Sequence, residues 1–130
     1  MKLDEFDLDP RELATLLSGT RFALGALLFL MPSRSAKLWS DEGGDSSAAV
    51  VASRGMGARD MALGLGGLLA LANDKPARGW IEAAAFSDLM DTVSTAMSFR
   101  RLPRGRALLM GATAAGAAML GMQLAPLLDD

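Results

Sequence analysis

The chain has 130 residues, 51% of them hydrophobic, and a formal net charge of -2. It contains neither cysteine nor histidine, which excludes disulfide scaffolds, thiolate sites, Ser-His triads and almost all zinc chemistry. We therefore expect no metal and no cofactor. Because no dense basic stretch is present, we also expect no nucleic-acid partner.

The first apolar segment, Leu13 to Met31, contains a single charge, Arg21, near its middle. An acidic cap at Asp9, a first-turn proline and a glutamate three positions after the cap predict a helix that starts at about residue 10. Pro32 should end this helix at about residue 31. Trp39, in the connection that follows, is a candidate anchor at a membrane interface.

The second segment predicts a helix over about residues 48–72. It carries Arg54, Arg59 and Asp60 together with five glycines. Glycine costs a water-exposed helix up to ~1 kcal/mol, yet it is common where membrane helices approach closely. The glycines therefore favour a membrane environment for this helix.

The third predicted helix covers about residues 77–99 and divides lengthwise into a polar and an apolar side. Its polar side includes Asp88 and Asp91, one turn apart, flanked by Ser87 and Ser94. We expect this side to face the bundle interior. The fourth predicted helix covers about residues 104–127, and its stretch from residue 107 to residue 128 contains no charge.

Together these segments predict one all-α domain, a four-helix transmembrane bundle in the lipid bilayer of the cell membrane. The alternative is a soluble helical bundle, because the mean hydropathy is modest and two charges lie near the middle of the second helix. Six Lys/Arg lie in the first and third connections, against four in the termini and the second connection. This asymmetry predicts that both termini lie outside the cell.

Two helices carry matching stripes of small residues around one central charge. The spacing i, i+4, i+7, i+11 places Arg21 on one stripe and Asp60 on the other. Small residues let two helices approach, and opposite charges at similar depth neutralise each other, so we predict a structural pair between Arg21 and Asp60. Arg59 lies on a different side of its helix from Asp60, so we expect it to pair with the third-helix acids instead. The stripes are Ala14, Ser18, Arg21, Gly25 and Ser53, Gly57, Asp60, Gly64.

The remaining polar residues form a candidate site. Two carboxylates in different environments can act as general acid and base, and an arginine can hold an anionic or carbonyl group. The candidate catalytic residues are Arg59, Asp88 and Asp91, and the candidate binding residues are Arg54, Ser87 and Ser94.

Three motifs also resemble those of a known family. They are Arg21-x-x-x-Gly25, the string Arg-x-x-Gly-Ala-Arg-Asp-x-Ala-Leu-Gly over residues 54–64, and Asp88-x-x-Asp91. This combination resembles a family of small bacterial four-helix membrane proteins classed as a domain of unknown function, and it covers most of residues 13–125. The resemblance implies a four-span fold and no particular activity. In size alone the chain is also similar to DoxX-like proteins.

Three functions remain open from the sequence. The favoured one is a structural or partner-binding membrane protein, because charges inside membranes usually pair with one another. The second is binding or transport of a small molecule or proton by a homo-oligomer. The third is a membrane enzyme, such as an isomerase, cyclase or epoxide-opening enzyme, that acts on a lipophilic substrate.

Overall fold

The computed structural model describes residue 7, residues 9–39 and residues 45–128. This part of the chain is all-helical and contains no strand. Its helices are α1 (Pro10–Leu30), α2 (Pro32–Ala36), α3 (Ser47–Ala72), α4 (Arg78–Met97) and α5 (Arg104–Leu124), with 3₁₀ turns at Phe99–Arg101 and Ala125–Leu128.

Capping residues and prolines fix the helix ends. The Asp9 carboxylate accepts a hydrogen bond from the Arg11 backbone N–H at 2.9 Å, and the Ser46 hydroxyl accepts one from Ala49 at 3.2 Å. Pro32 ends α1 as expected but also begins the short α2, since proline fits the first position of a helix. The fourth long helix ends at residue 124 and continues as a 3₁₀ turn because Pro126 cannot supply a helical N–H.

The four long helices pack as two tight pairs. α1 lies along α3, and α4 lies along α5, while α3 and α4 join the two pairs. The short α2 packs on the start of the chain's second long helix, α3. Contact between α1 and α5 is slight by comparison, which leaves space between these two helices.

Glycines bring the α1 and α3 backbones into direct contact. A Cβ atom added to Gly25 would lie 2.7 Å from the Gly57 carbonyl oxygen, and one added to Gly57 would lie 2.5 Å from the Gly25 carbonyl oxygen. Farther along, a Cβ at Gly64 would lie 2.6 Å from the Ser18 carbonyl oxygen. Because backbone atoms of a helix cannot move aside singly, only residues without a side chain fit this crossing.

The packed apolar core lies at one end of the molecule. It joins the start of α1, the end of α3, the start of α4 and the end of α5, so this end is closed by aliphatic side chains. The core residues are Ala14, Ala70, Leu71, Ala77, Ile81, Leu124, Ala125 and Leu128.

Large apolar side chains also cover the outside of the helices. Leu16 is 68% exposed on α1, Leu109 is 66% exposed on α5, and Met97 is 84% exposed on α4. Two helical stretches, Pro10–Leu30 and Arg104–Leu128, are long and apolar enough to cross a membrane by length and composition. Only 17% and 22% of their apolar windows are buried, whereas the core helix of a water-soluble protein is mostly buried.

Candidate functional site

Five charged side chains from three helices form one continuous network. Arg21 comes from α1, Arg59 and Asp60 from α3, and Asp88 and Asp91 from α4. Acids and arginines alternate in space, in the order Asp88, Arg21, Asp60, Arg59, Asp91. These ion pairs therefore join α1, α3 and α4.

Arg21 is the most enclosed cation of the network. Its Nη1 lies 3.3 Å from Asp60 Oδ1, and its Nη2 donates to Asp88 Oδ2. The three side chains are only 10%, 14% and 10% exposed for Arg21, Asp60 and Asp88 respectively. Arg21 therefore contacts Asp60, its predicted partner. It also contacts Asp88, which was predicted to belong to the separate candidate site.

Arg59 binds two carboxylates at once. Its Nη1 and Nη2 donate to the two oxygens of Asp91 at 3.0 and 2.8 Å, a bidentate geometry. Its Nε and Nη2 also donate to Asp60 Oδ1 at 3.2 and 3.1 Å. Arg59 was expected to pair with the α4 acids instead of Asp60, but it contacts both Asp91 and Asp60. Its long side chain brings the planar guanidinium back across the helix surface to the neighbouring carboxylate.

A cavity of about 360 Å³ lies against this network. Arg21, Asp60, Asp88 and Asp91 line one wall, while Arg59 does not. The remaining lining is mainly aliphatic and comes from α1, α3 and α5, with Trp39 from the segment after α2. Aliphatic residues of this lining include Leu17, Leu24, Leu28, Met56, Met110 and Ala117.

The three binding candidates from the sequence lie outside the cavity lining. Arg54 is exposed and donates through Nε to the Phe29 carbonyl oxygen at 3.3 Å, so it ties α3 to α1. Ser94 lines an adjoining groove that shares Asp91 and Trp39 with the cavity. Ser87 is buried, and its hydroxyl has no hydrogen-bond partner among the described residues.

Several cavity residues carried no clear signal in the sequence. Trp39 was expected at a membrane interface, but both Trp39 and Met110 line the cavity. Thr20 and Thr113 also line it. These residues line the cavity because their helices lie apart from one another. The spacing of residues within one helix does not predict the distance between two helices.

The network is not electrically balanced. In their ionised forms, three carboxylates and two guanidinium groups sum to one negative charge. Within the described part of the chain, the hydrogen bonds to Asp60 all reach Oδ1, and the one side-chain donor to Asp88 reaches Oδ2. Asp60 Oδ2 and Asp88 Oδ1 thus remain without a donor, and neither atom is fully enclosed.

The two α4 acids contact different cations. Asp88 is held by Arg21 and Asp91 by Arg59, so each carboxylate has its own cation. Among the described residues, no group of three His, Cys, Asp or Glu side chains is placed to hold a metal ion.

Comparisons with protein-family models, with curated proteins and with solved structures give no significant match.

Proposed function

We propose that this chain is a multi-pass membrane protein whose four long helices enclose a binding site for a small lipophilic molecule. The cavity carries this proposal, because it joins a largely aliphatic lining to one charged wall. Small-molecule sites are typically concave, mostly apolar, and fitted with a few polar groups that orient the ligand. At about 360 Å³, this cavity falls within the ~300–1,000 Å³ typical of such sites.

The distribution of polarity supports a membrane location. The exterior of the helices carries large exposed aliphatic and aromatic side chains, whereas Ser18, Ser53 and Asp88 are buried. In a water-soluble monomer, such extensive apolar surface would be exposed to solvent at high cost, but lipid accommodates it. Intramembrane charges face the bundle interior and pair with one another, as the Arg/Asp network does.

A purely structural role accounts for less of the geometry. Ion pairing explains why Arg21 and Arg59 are each placed between two carboxylates. Ion pairing does not explain why all three carboxylates of the network line an otherwise aliphatic cavity. We therefore place ligand binding ahead of structural pairing, and we assign no catalytic step to Asp88 or Asp91.

Single cysteines provide a test of the membrane topology, since the chain has none of its own. We expect Lys75→Cys, in the connection between α3 and α4, to react with a membrane-impermeant maleimide in intact cells, as termini outside the cell require. Arg100→Cys, near the end of α4, should react only after permeabilisation. Leu109→Cys should stay unlabelled in the membrane even though its side chain is 66% exposed.

A soluble helical bundle predicts the opposite result for Leu109→Cys. In water, Leu109→Cys would react as fast as Lys75→Cys, and the protein would fractionate without membranes. Equal reactivity of all three variants in a membrane-free fraction would therefore overturn the topology.

Filling the cavity tests the binding function. The protein contains two tryptophans, and only Trp39 lines the cavity, so the Trp80→Phe background makes indole emission report on this site. In lipid nanodiscs, n-octanol should produce a saturable change in Trp39 emission. We expect Ala117→Leu, which places a larger side chain in the cavity, to weaken this response at least ~10-fold, as losing a ligand's apolar contacts commonly does.

The matched control is Ala112→Leu on the same helix. Ala112 is exposed and lies outside the cavity lining, so this variant should retain the octanol response. If octanol gave no saturable response, or the same response in both leucine variants, the cavity would not be the binding site.

A further inference from the structure

We infer that the ligand of this cavity carries a protonated amine on an aliphatic body, an inference that rests on the proposed binding function. The charges on the cavity wall point to this headgroup. Asp60, Asp88 and Asp91 all line the cavity, but only one of the two network arginines, Arg21, does so. A ligand entering the cavity thus meets three carboxylates and one guanidinium.

The network as a whole lacks one positive charge. Arg21 and Arg59 compensate two of the three carboxylates, and no other cation lines the cavity among the described residues. An uncompensated carboxylate away from water is costly, because the charged form loses its hydration. A cationic ligand removes this imbalance, whereas an anionic ligand doubles it.

The unoccupied hydrogen-bond acceptors fit the same headgroup. Asp60 Oδ2 and Asp88 Oδ1 accept no hydrogen bond from a described residue and are not fully enclosed. An ammonium group offers three N–H donors, and charge-assisted bonds to carboxylates are about twice as strong as neutral ones. Arg59, expected from the sequence to hold an anion, already donates through all three guanidinium nitrogens to Asp60 and Asp91.

The rest of the cavity fits the ligand's body. Leu17 and Leu24 of α1 and Met110 and Ala117 of α5 contribute aliphatic side chains to the cavity lining. Met56 and Met110 are unbranched, so their side chains can adjust to different chain shapes. The cavity is thus suited to an amine with a short alkyl chain rather than to a hydrophilic polyamine.

Three probes of equal chain length test the headgroup. Octylammonium, n-octanol and octanoate would be titrated at pH 7 into the Trp80→Phe protein in nanodiscs, with Trp39 emission as the readout. Nanodiscs made of zwitterionic lipid keep surface charge from concentrating either ion. We expect octylammonium to bind at least ~10-fold more tightly than octanol, and octanoate to bind most weakly, because a charge-assisted hydrogen bond to a carboxylate is stronger than a neutral one.

Variants of the wall then identify the acids responsible. Asp60→Asn, Asp88→Asn and Asp91→Asn should each weaken octylammonium binding several-fold and leave octanol binding nearly unchanged. Asp91→Glu, which keeps the charge, should retain the preference for the amine. Asp91 is the most accessible of the three, with a side chain 26% exposed, so its variants provide the test even if Asp60→Asn or Asp88→Asn fails to fold.

The outcomes separate this inference from the function on which it rests. Equal affinities for the three probes, or tightest binding of octanoate, would overturn the amine headgroup while the binding function stood. If none of the probes gave a saturable response that Ala117→Leu weakens, both proposals would fail. An amine preference that survives each of Asp60→Asn, Asp88→Asn and Asp91→Asn would place the headgroup elsewhere and contradict the inference.

Discussion

Replacing Arg21 with methionine is expected to lower the free energy of unfolding by about 3 to 5 kcal/mol, the usual cost of leaving a buried charge without its partner. Arg21 is 10% exposed and contacts Asp60 and Asp88. Asp60 keeps a second cation, Arg59, at 3.1 Å, but Asp88 has no other arginine or lysine within salt-bridge distance in the described chain. The loss of stability would be measured by thermal unfolding in detergent, monitored by size-exclusion chromatography.

The network order predicts which second substitution restores stability. Adding Asp88→Asn to Arg21→Met removes the carboxylate that is left without a cation. The double variant should therefore recover about half or more of the lost free energy of unfolding. Adding Asp60→Asn instead should recover less, because it leaves Asp88 unpaired and takes a partner from Arg59. Equal recovery by both second substitutions would contradict this order.

A surface pair provides the control for these measurements. Lys37 and Asp45 lie 3.7 Å apart with side chains 51% and 77% exposed. Exposed pairs typically contribute ~0–1 kcal/mol, so Lys37→Met should change stability little. A comparable loss in Lys37→Met and Arg21→Met would show that burial does not set the energy of the Arg21 contacts.

Replacing Gly57 with alanine is the second change with a large expected effect. The new Cβ would lie 2.5 Å from the Gly25 carbonyl oxygen and 2.6 Å from the Phe29 backbone nitrogen, so α1 and α3 must separate. Overpacking of this kind costs ~1–3 kcal/mol, occasionally more. Separation should also lengthen the 3.3 Å contact between Arg21 and Asp60, so we expect weaker octylammonium binding along with a lower unfolding temperature.

Gly55→Ala is the matched control, two residues away on the same helix. A Cβ at Gly55 meets no atom within 4 Å, and alanine favours helix over glycine by up to ~1 kcal/mol. This variant should therefore be as stable as the parent protein or more so. If Gly55→Ala and Gly57→Ala behaved alike, helix propensity rather than the α1–α3 contact would explain both.

The all-α class was predictable because apolar segments, caps and prolines act locally. Asp9 and Pro32 marked helix boundaries that the structure contains, and an apolar stretch of helical length needs no tertiary information to be recognised. The stripe that contains Gly25 meets the stripe that contains Gly57, since regular spacing places residues on one face whatever the environment.

The division of the charges could not be read from helical projection. Projection places the Cβ atoms of Arg59 and Asp60 on different sides of α3, but the guanidinium lies several bonds beyond Cβ and reaches the neighbouring carboxylate. Asp88 was separated from Arg21 for a related reason, because the depth and rotation of α4 relative to α1 are tertiary properties. The cavity could not be predicted from the sequence either, because it lies where α1 and α5 are separated from each other.

The sharing of the network among α1, α3 and α4 has a consequence for biosynthesis. α1 and the stretch Arg104–Leu128 pass the length and apolarity criteria for a membrane span individually, whereas α3 and α4 do not. The two central aspartates of α4, Asp88 and Asp91, are paired with arginines of other helices, Arg21 of α1 and Arg59 of α3. In the proposed membrane topology, the middle helices need to be retained beside α1 as they leave the insertion machinery, whereas α5 can enter lipid on its own.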